Sequence, residues 1–270
     1  MTDTRIEARQ PGPFREAIAT QVRVLSALIL REARTRFGRS RLGYLWAIGE
    51  PVVYVMTFTA AFTLLRTLPA LGNSIAEFLL TGILPYQVFS NIVQRASTAI
   101  PANRALLTFP IVKNMDTIMA RIALEIATSL LAFLILFGLL GFFGITRMPD
   151  DLLGFLAGIG ALMLLGTGIG VVAAVGTVVN STFATVFPWI MRFTFFISGP
   201  FFILDQLSNE LADKIAWNPV VHGIEWVRTA YFPVYASSHL DRGYILFIGL
   251  AALALGLALE RMARKHLALE

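Results

Sequence analysis

The sequence predicts an all-α polytopic membrane protein with six transmembrane helices, and its composition and charge distribution carry that prediction. Hydrophobic residues make up 56% of the 270 residues, charged residues make up 14%, and the mean hydropathy is +0.71. Soluble domains average roughly 45–50% hydrophobic and 25% charged residues. Residues 152–191 form a run of forty without Asp, Glu, Lys or Arg. Such a run is typical of membrane-spanning helices and does not fit a soluble core.

The first 41 residues are predicted to form a cytoplasmic region that contains an amphipathic helix. Nine of the nineteen arginines lie there, whereas the whole chain has three lysines. Apolar residues recur at steps of three and four, which indicates one face of a helix; they are Phe14, Ile18, Val22, Leu25, Ile29 and Ala33. A helix lying in the headgroup layer has this pattern. A basic flank that only fixes the topology is also compatible with these residues.

Residues 42–260 are predicted to form a six-span transmembrane domain. A bilayer core of about 30 Å requires roughly 20 mostly apolar residues per helix. We predict the spans at Leu42–Leu65, Ile75–Arg95, Arg121–Ile145, Leu152–Val178, Ala184–Leu204 and Arg242–Glu260. The long uncharged run is divided at Asn180, Ser181 and Thr182, and residues 261–270 follow as a cytoplasmic tail.

The distribution of basic residues predicts that both termini are cytoplasmic. With the N-terminus inside, the inner segments and their borders carry sixteen Lys and Arg residues and the outer segments carry five. Inner loops of membrane proteins carry such an excess. The first forty residues also lack the apolar stretch and small-residue cleavage site of a signal peptide.

Two connections are long enough to have roles of their own. Residues 96–120 are predicted to form a short cytoplasmic helix and turn, which is compatible both with docking of a partner and with a simple connection. The external segment 205–241 is too long for an ordinary loop. Within it, Asn218 and Pro219 indicate a helix start, and His222, Glu225 and Arg228 follow at intervals of three on one helix face. We predict re-entrant helices here, before the last span, that dip into the outer half of the membrane.

The sequence gives no support for a catalytic or metal site. It contains no cysteine, which excludes thiolate catalysis and cysteine-ligated metals. No lysine follows the glycines of a Walker motif, so ATP is not expected to bind this chain. His222 and Glu225 are too few for a metal, and a structural hydrogen bond is favoured for His222. The pair Asp150 and Asp151 is interpreted as the flank of a helix N-terminus.

Among the ionisable residues of the predicted spans, Glu50, Glu125 and Arg192 stand out, because a charge at membrane depth costs roughly 2.5–3.5 kcal/mol on insertion scales. For Glu125 we predict an ion pair with Arg121, four residues earlier. Arg192 is compatible with an orientation toward the headgroups or toward a water-filled path. Glu50 is followed at four-residue steps by Tyr54, Phe58 and Phe62. That face is compatible with packing against other helices and with stacking on sugar rings.

A long and specific segment carries a resemblance to a known family. Residues 30–51, LREARTRFGRSRLGYLWAIGEP, closely resemble the start of the membrane subunit of bacterial capsular polysaccharide exporters, in the type-two export branch of ABC transporters. The resemblance continues over nearly the whole chain. It includes Pro110 to Arg121, Ser198 with Gly199 and the following phenylalanines, and Trp217 through Glu225.

The resemblance implies a six-span inner-membrane subunit that forms a homodimer and docks two copies of a separate ATPase, which binds ATP and magnesium. It implies transport of long acidic polysaccharides carried on a phospholipid. Further partners would be a periplasmic adaptor anchored in the inner membrane and an outer-membrane export channel. In the family the first and fifth spans line the conduit. The residues expected to line it here are Glu50, Tyr54, Phe58, Phe62 and Arg192.

Three further roles are hypotheses from the sequence. Four arginines are candidates for docking the lipid phosphate or acidic sugars, because arginine pairs well with both. They are Arg34, Arg36, Arg39 and Arg41. Candidates for coupling to the ATPase are Pro101, Asn103, Arg104 and Lys113. Candidates for an outer gate are Asn218, Pro219, His222, Glu225 and Arg228.

Other functions remain compatible with the sequence. Within the same branch, the substrate could be O-antigen or teichoic acid. A secondary transporter driven by protons or sodium would need acidic groups in the membrane core, and only Glu50 and Glu125 qualify. A membrane-embedded glycan enzyme would need paired acids, for which Asp150 and Asp151 are the only candidates.

Overall fold

A computed structural model describes residues 13–38, 42–72 and 74–267, and these residues form helices joined by turns and loops, with no strand among them. They form ten α-helices and one short 3-10 helix, Leu204–Gln206. The α-helices are α1 Pro13–Phe37, α2 Leu42–Leu64, α3 Ile75–Ser97, α4 Ala99–Ala102, α5 Asn114–Phe142, α6 Leu152–Val179, α7 Ser181–Ile197, α8 Asn209–Ala216, α9 Pro219–Tyr231 and α10 Arg242–Leu267.

Three of the described helices are long and apolar enough to cross a membrane: α5, α6 and α10. The shorter α7 is also apolar. Helices α2 and α3 have 23 residues each, which corresponds to about 34 Å at the helical rise of 1.5 Å per residue. The chain is therefore a polytopic membrane protein. The assignment of six spans stays a prediction.

Local signals set the breaks around α7. The predicted break at Asn180 is confirmed, because the Asn180 side chain accepts hydrogen bonds from the N–H groups of Thr182 (2.8 Å) and Phe183 (3.1 Å) and caps α7. The predicted end of this helix at Leu204 is wrong. The helix stops at Ile197, because Gly199 has a φ of +90° and Pro200 follows it. A left-handed residue and a proline both end a helix.

Helix α6 lies at the centre of the bundle, against α3, α9 and α10. Its glycines allow this close packing. A Cβ at Gly158 would lie 2.9 Å from the Val227 side chain in α9, and one at Gly170 would lie 2.8 Å from Ala96 in α3. The small residues in α6 therefore serve helix packing, as their spacing indicates. Asp151 caps α6 by accepting the Gly154 N–H at 2.9 Å, which confirms its interpretation as a helix flank.

Helix α1 packs along α5, and the predicted Arg121–Glu125 ion pair is wrong. Arg121 instead pairs with Glu32 of α1 at 2.8 Å, and Glu125 pairs with Arg36 of α1 and with Arg95 of α3. The prediction failed because α1 places Glu32 next to Arg121 and Arg36 next to Glu125. The sequence places a helix here correctly, but Ile18 and Val22 of the predicted apolar stripe are about half exposed.

The external segment begins its third helix where the sequence predicts it. Asn218 caps α9 by accepting the Val220 N–H at 3.1 Å, and Pro219 occupies the first helical position. The Asn218 side chain also donates to the Ser198 hydroxyl at 3.0 Å, which joins α9 to the end of α7.

Candidate functional site

A cavity of about 510 Å³ lies between α2, α3 and α7. Its volume is within the roughly 300–1,000 Å³ typical of ligand sites. Its lining residues belong to these three helices; they are Glu50, Tyr54, Phe58, Tyr86, Gln87, Ser90, Asn91, Gln94, Pro188, Met191, Arg192, Phe195 and Phe196. The Tyr86 hydroxyl donates to the Met191 carbonyl oxygen at 2.7 Å, which ties α3 to α7.

The structure brings together four of the five residues that the sequence assigns to the conduit. Glu50, Tyr54 and Phe58 line the cavity from α2, and Arg192 lines it from α7, with its guanidinium 5.0 Å from the Trp189 ring centroid. The fifth, Phe62, lies one turn further along α2 and stacks on Phe201, with ring centroids 5.9 Å apart.

Aromatic side chains of α2 and α7 meet beside this cavity. Phe195 of α7 meets Tyr54 and Phe58 of α2, with ring centroids 6.3 and 5.8 Å apart. Phe201 follows the end of α7 and packs on Phe58 at 4.7 Å and on Phe195 at 5.1 Å. The face that begins at Glu50 therefore packs against α7 and also borders a cavity. Its stacking on sugar rings stays a prediction.

Sequence reasoning missed the contribution of α3. Gln87, Ser90, Asn91 and Gln94 line the cavity opposite α2, and we call these four residues the polar row. They occur at positions i, i+3, i+4 and i+7, which is one face of a helix. That spacing of polar residues inside an otherwise apolar helix was the available signal.

A second, smaller cavity adjoins the first. Its volume is about 30 Å³, and Glu50, Gln87 and Asn91 border both cavities. The other polar residues of its lining are Arg36, Glu125, Thr128 and Ser129. A space of this size accommodates a water molecule. The polar wall of the larger cavity thus continues to the charged contact between α1 and α5.

At that contact one carboxylate meets two guanidinium groups. The Glu125 side chain is 2% exposed and pairs with Arg36, while Arg95 lies 3.7 Å away. Because the three residues belong to α5, α1 and α3, this charge junction links three helices beside the cavity. A carboxylate buried to this degree requires such partners.

The four arginines proposed for lipid docking differ in their surroundings. Arg34 is exposed and lines an open groove of about 440 Å³ on α1. Arg36 is occupied by Glu125. Arg39 and Arg41 lie outside the described residues.

The proposed coupling segment forms a short helix and turn, as predicted. Pro101, Arg104 and Lys113 are exposed, but Asn103 is 4% exposed and faces inward. The Asn103 side chain accepts from Arg31 of α1 at 2.6 Å and donates to the Ala99 carbonyl oxygen at 2.9 Å. Asn103 thus joins this segment to α1.

Two apolar side chains of the same segment were not singled out by the sequence reasoning. Phe109 and Ile111 are 57% and 58% exposed. Together with Arg104 and Lys113 they give this segment a mixed apolar and basic surface, although the segment lies between two helices of the bundle.

In α9 and at its cap, four of the five residues proposed for an outer gate are buried and Pro219 is partly buried. Arg228 is completely buried, and its guanidinium donates to the carbonyl oxygens of Gly199 (2.7 Å), Pro200 (2.9 Å) and Phe202 (2.6 Å). We call this contact the arginine clamp. It fixes the turn that carries Phe201, and Glu225 lies 3.9 Å from the same guanidinium. Tyr235 donates a hydrogen bond to Glu225.

His222 has the structural role that the sequence favours. It is 3% exposed, and its Nε2 lies 2.6 Å from the Ala216 carbonyl oxygen, while its Nδ1 accepts the Asp241 N–H at 3.1 Å. These two partners require the neutral tautomer with the proton on Nε2. No group of three or more His, Cys, Asp or Glu residues in the described part of the chain is placed to hold a metal ion.

In the 3-10 helix, Asp205 joins two parts of the segment that is predicted to be external. Its carboxylate accepts from the Ser238 hydroxyl at 2.6 Å and lies 3.0 Å from the His239 ring. Partial burial alone would raise the pKa of this carboxyl group, but the hydrogen bonds from Ser238 and His239 outweigh that effect and lower it below its usual range.

Comparison with known proteins gives one family match and several relatives. A family model described as ABC-2 type transporter matches residues 23–232. The polysialic acid transport protein KpsM of Escherichia coli is 36% identical over 256 residues, covering 92% of this chain and 96% of that protein. The capsule polysaccharide export inner-membrane proteins CtrC of Neisseria meningitidis and BexB of Haemophilus influenzae are 31% and 27% identical. Those matches cover 91% and 92% of this chain, and 92% and 94% of the relatives.

Proposed function

Because the chain belongs to the ABC-2 type transporter family of membrane proteins, we propose that it is the transmembrane subunit of an ATP-driven exporter of lipid-linked acidic capsular polysaccharide. Its relatives are inner-membrane export proteins named for capsule polysaccharide and polysialic acid. The chain is accordingly a transport subunit, and ATP hydrolysis is assigned to a separate ATPase.

One observation carries the proposal: the cavity between α2, α3 and α7. It combines aromatic rings, which pack on sugar faces, with polar side chains, which hydrogen-bond to hydroxyl groups. A proton- or sodium-driven transporter needs acidic side chains available to bind the ion. Glu125 is already paired with Arg36, so this alternative loses one of its two candidate carboxylates.

We assign the path of the polymer to the space between two copies of the chain. The exposed outer face of α7 supports this arrangement, because Trp189, Phe193 and Phe196 are each more than half exposed. Six spans and cytoplasmic termini belong to the same proposal. A periplasmic adaptor and an outer-membrane channel would continue the path beyond the inner membrane.

Energy transfer is assigned to the segment between α3 and α5. Arg104, Lys113, Phe109 and Ile111 present charged and apolar side chains to an ATPase, and Asn103 transmits the movement to Arg31 of α1. Replacement of Arg104 and Lys113 by alanine should lower export relative to ATP hydrolysis while the fold persists. Unchanged export would assign coupling to another segment.

Binding of the acidic substrate before transport is assigned to Arg34, Arg39 and Arg41, with a lesser role for Arg36, which Glu125 neutralises. Lysine at these positions keeps the positive charge but loses the bidentate geometry of the guanidinium. We expect lysine replacements to insert normally and export poorly. Normal export would leave these residues with a topological role only.

The outer gate is assigned to the turn that carries Phe201, held by the arginine clamp of α9. This refines the assignment from sequence to Asn218, Pro219, His222, Glu225 and Arg228. Four of these residues are buried and Pro219 is partly buried, and Phe201 is the side chain that meets the cavity aromatics. Because the clamp holds this turn in place, the gate opens when α2 moves away from the turn, and a crosslink between the turn and α2 should stop export. Continued export would place the gate elsewhere.

The proposed function is tested by deleting the gene in the native host and by purifying the tagged protein in mild detergent. Polysaccharide should disappear from the cell surface and accumulate inside, and an ATPase subunit should co-purify at near one-to-one stoichiometry. Unchanged surface polysaccharide together with the reproducible lack of an ATPase would overturn the proposal.

A further inference from the structure

The polar row of α3 is placed where an apolar helix would ordinarily present leucine or valine. From Gln87 to Gln94 it extends about 10 Å along the helix, and the opposite side of α3 is fully buried, as Ile92 and Val93 show. Polar groups are costly where neither protein nor water satisfies them. The cavity is therefore the environment to which this face of α3 is adapted.

The row has hydrogen-bonding capacity that the protein leaves unused. The Gln87 Oε1 is buried and accepts no hydrogen bond from any residue in the part of the chain that the structure describes. Gln94 donates to the Ser90 hydroxyl at 2.8 Å, which orients the Gln94 amide along the cavity wall. A buried acceptor of this kind is satisfied by water or by a hydroxyl group of a ligand.

The charges around the cavity complete the argument. Glu50 and Arg192 are the two ionisable acid and base side chains among the lining residues, and their formal charges cancel. A wall of cations would hold an acidic polymer tightly. A wall of neutral amides makes weaker bonds that exchange readily, and a conduit requires binding that is weak enough for release.

We propose that the polar row binds the hydroxyl groups of the moving glycan, so that the conduit recognises the polymer as a polyhydroxylated chain and not through its acidic groups. This inference rests on the proposed function. The aromatic residues of α2 and α7 then pack on the opposite face of each sugar. Charge recognition is confined to the arginines before the conduit.

The proposal can be tested by cysteine labelling, because the chain contains no native cysteine. Ser90→Cys and Asn91→Cys place a thiol in the polar row, and Val93→Cys is the matched control, because Val93 on the same helix is fully buried in the core. Each variant is treated with a small anionic methanethiosulfonate reagent in native-host cells that are exporting polysaccharide and in cells whose polysaccharide synthesis is blocked.

We expect Ser90→Cys and Asn91→Cys to be labelled in the blocked cells and at least fivefold more slowly in the exporting cells, with Val93→Cys unlabelled in both. Equal labelling rates in the two states, or no labelling of the row, would overturn the proposal. If surface polysaccharide does not depend on this chain at all, the proposed function fails. If export depends on the chain and the row is unprotected, only the present inference fails.

A second measurement shows whether Asn91 forms hydrogen bonds with the glycan or only lies close to it. Asn91→Leu removes the hydrogen-bonding groups at similar size, and Asn91→Ser keeps one. With both proteins present in the membrane at wild-type amounts, we expect export to fall at least fivefold for Asn91→Leu and less than twofold for Asn91→Ser. Equal export by the two variants would contradict recognition through hydroxyl groups. If Asn91→Leu is not inserted, the labelling result alone decides.

Discussion

The arginine clamp and the charge junction are two buried charges in the same bundle that are satisfied in different ways. The Arg228 guanidinium is completely buried and bonds to three backbone carbonyl oxygens of one turn. The Glu125 carboxylate is also buried, but its partners are the side chains of Arg36 and Arg95, which are 17% and 47% exposed and belong to two other helices.

The difference indicates which part of the molecule is built to move. Backbone carbonyls of a fixed turn cannot change partners without loss of that turn, so the arginine clamp is rigid. Long arginine side chains that reach water can leave Glu125 and return to it at lower cost. We therefore expect the clamp to support the fold and the junction to support transmission of movement from α1 to the cavity.

The largest expected effect is that of Arg228→Met. This change leaves three carbonyl oxygens without donors and Glu225 without its nearby cation, and the removal of one partner from a buried charge typically costs about 3–5 kcal/mol. The purified protein should lose its monodisperse size-exclusion peak at a much lower temperature than the wild type. A variant with wild-type thermal stability would contradict the rigid role of the clamp.

Gly82→Ala tests the same clamp from α3. A Cβ at Gly82 would lie 2.6 Å from both the Arg228 Nη2 and the Pro200 carbonyl oxygen, and overpacking of this kind typically costs about 1–3 kcal/mol. Gly138→Ala in α5 is the matched control, since no atom lies within 4 Å of its Cβ position. In thermal denaturation we expect Gly82→Ala to be destabilised and Gly138→Ala to be unchanged or slightly stabilised. Equal thermal stability of the two variants would mean that Arg228 and the Pro200 turn can shift without loss of stability.

Glu125→Gln tests the charge junction. Glutamine keeps an acceptor and the two arginines can reach water, so we expect a stability loss of only about 1–2 kcal/mol. Export per ATP hydrolysed should fall in membranes, and α1 should become more sensitive to limited proteolysis. This expectation would be contradicted if Glu125→Gln lowered the thermal stability as much as Arg228→Met while the folded protein kept its normal export per ATP hydrolysed. The two buried charges would then have the same structural role.

The smallest effect is expected for Asp205→Asn, at an exposed contact between the 3-10 helix and Ser238 and His239. Surface ion pairs contribute about 0–1 kcal/mol. Because the Asp205 pKa is lowered in the folded protein, its contribution is complete above the ordinary carboxyl pKa of about 4 and is lost as the pH falls through the lowered value. The stability difference from the wild type should therefore be present at pH 5 and vanish near pH 2. A difference that persists at pH 2 would assign the effect to another cause.

Local signals in the sequence were sufficient for most helix positions. The Asn180 break, the Asn218 cap and the Asp151 cap all depend on residues a few positions apart, and the structure contains each of them. The end of α7 was misplaced because an apolar run continues past Gly199, and hydropathy alone does not register a left-handed residue.

The partners of buried charges were less predictable. Glu125 has Arg121 four residues before it, but its partner Arg36 is 89 positions away, and no local pattern shows which helix will pack there. For the cavity, the aromatic face of α2 and Arg192 followed from the sequence. The polar row was missed because the hydropathy that predicts α3 as a span does not show that four polar side chains share one face of the helix.

The conduit is tested most directly by joining α2 to α7 across the cavity. Phe58→Cys with Phe195→Cys replaces two rings whose centroids lie 5.8 Å apart, in a chain that has no other cysteine. A short cleavable bis-maleimide would then link the helices in exporting cells, with each single-cysteine variant as the control. We predict that export stops when the double variant is linked and recovers when the linker is cleaved. Undiminished export by fully linked protein would show that export does not require α2 and α7 to move apart at this cavity.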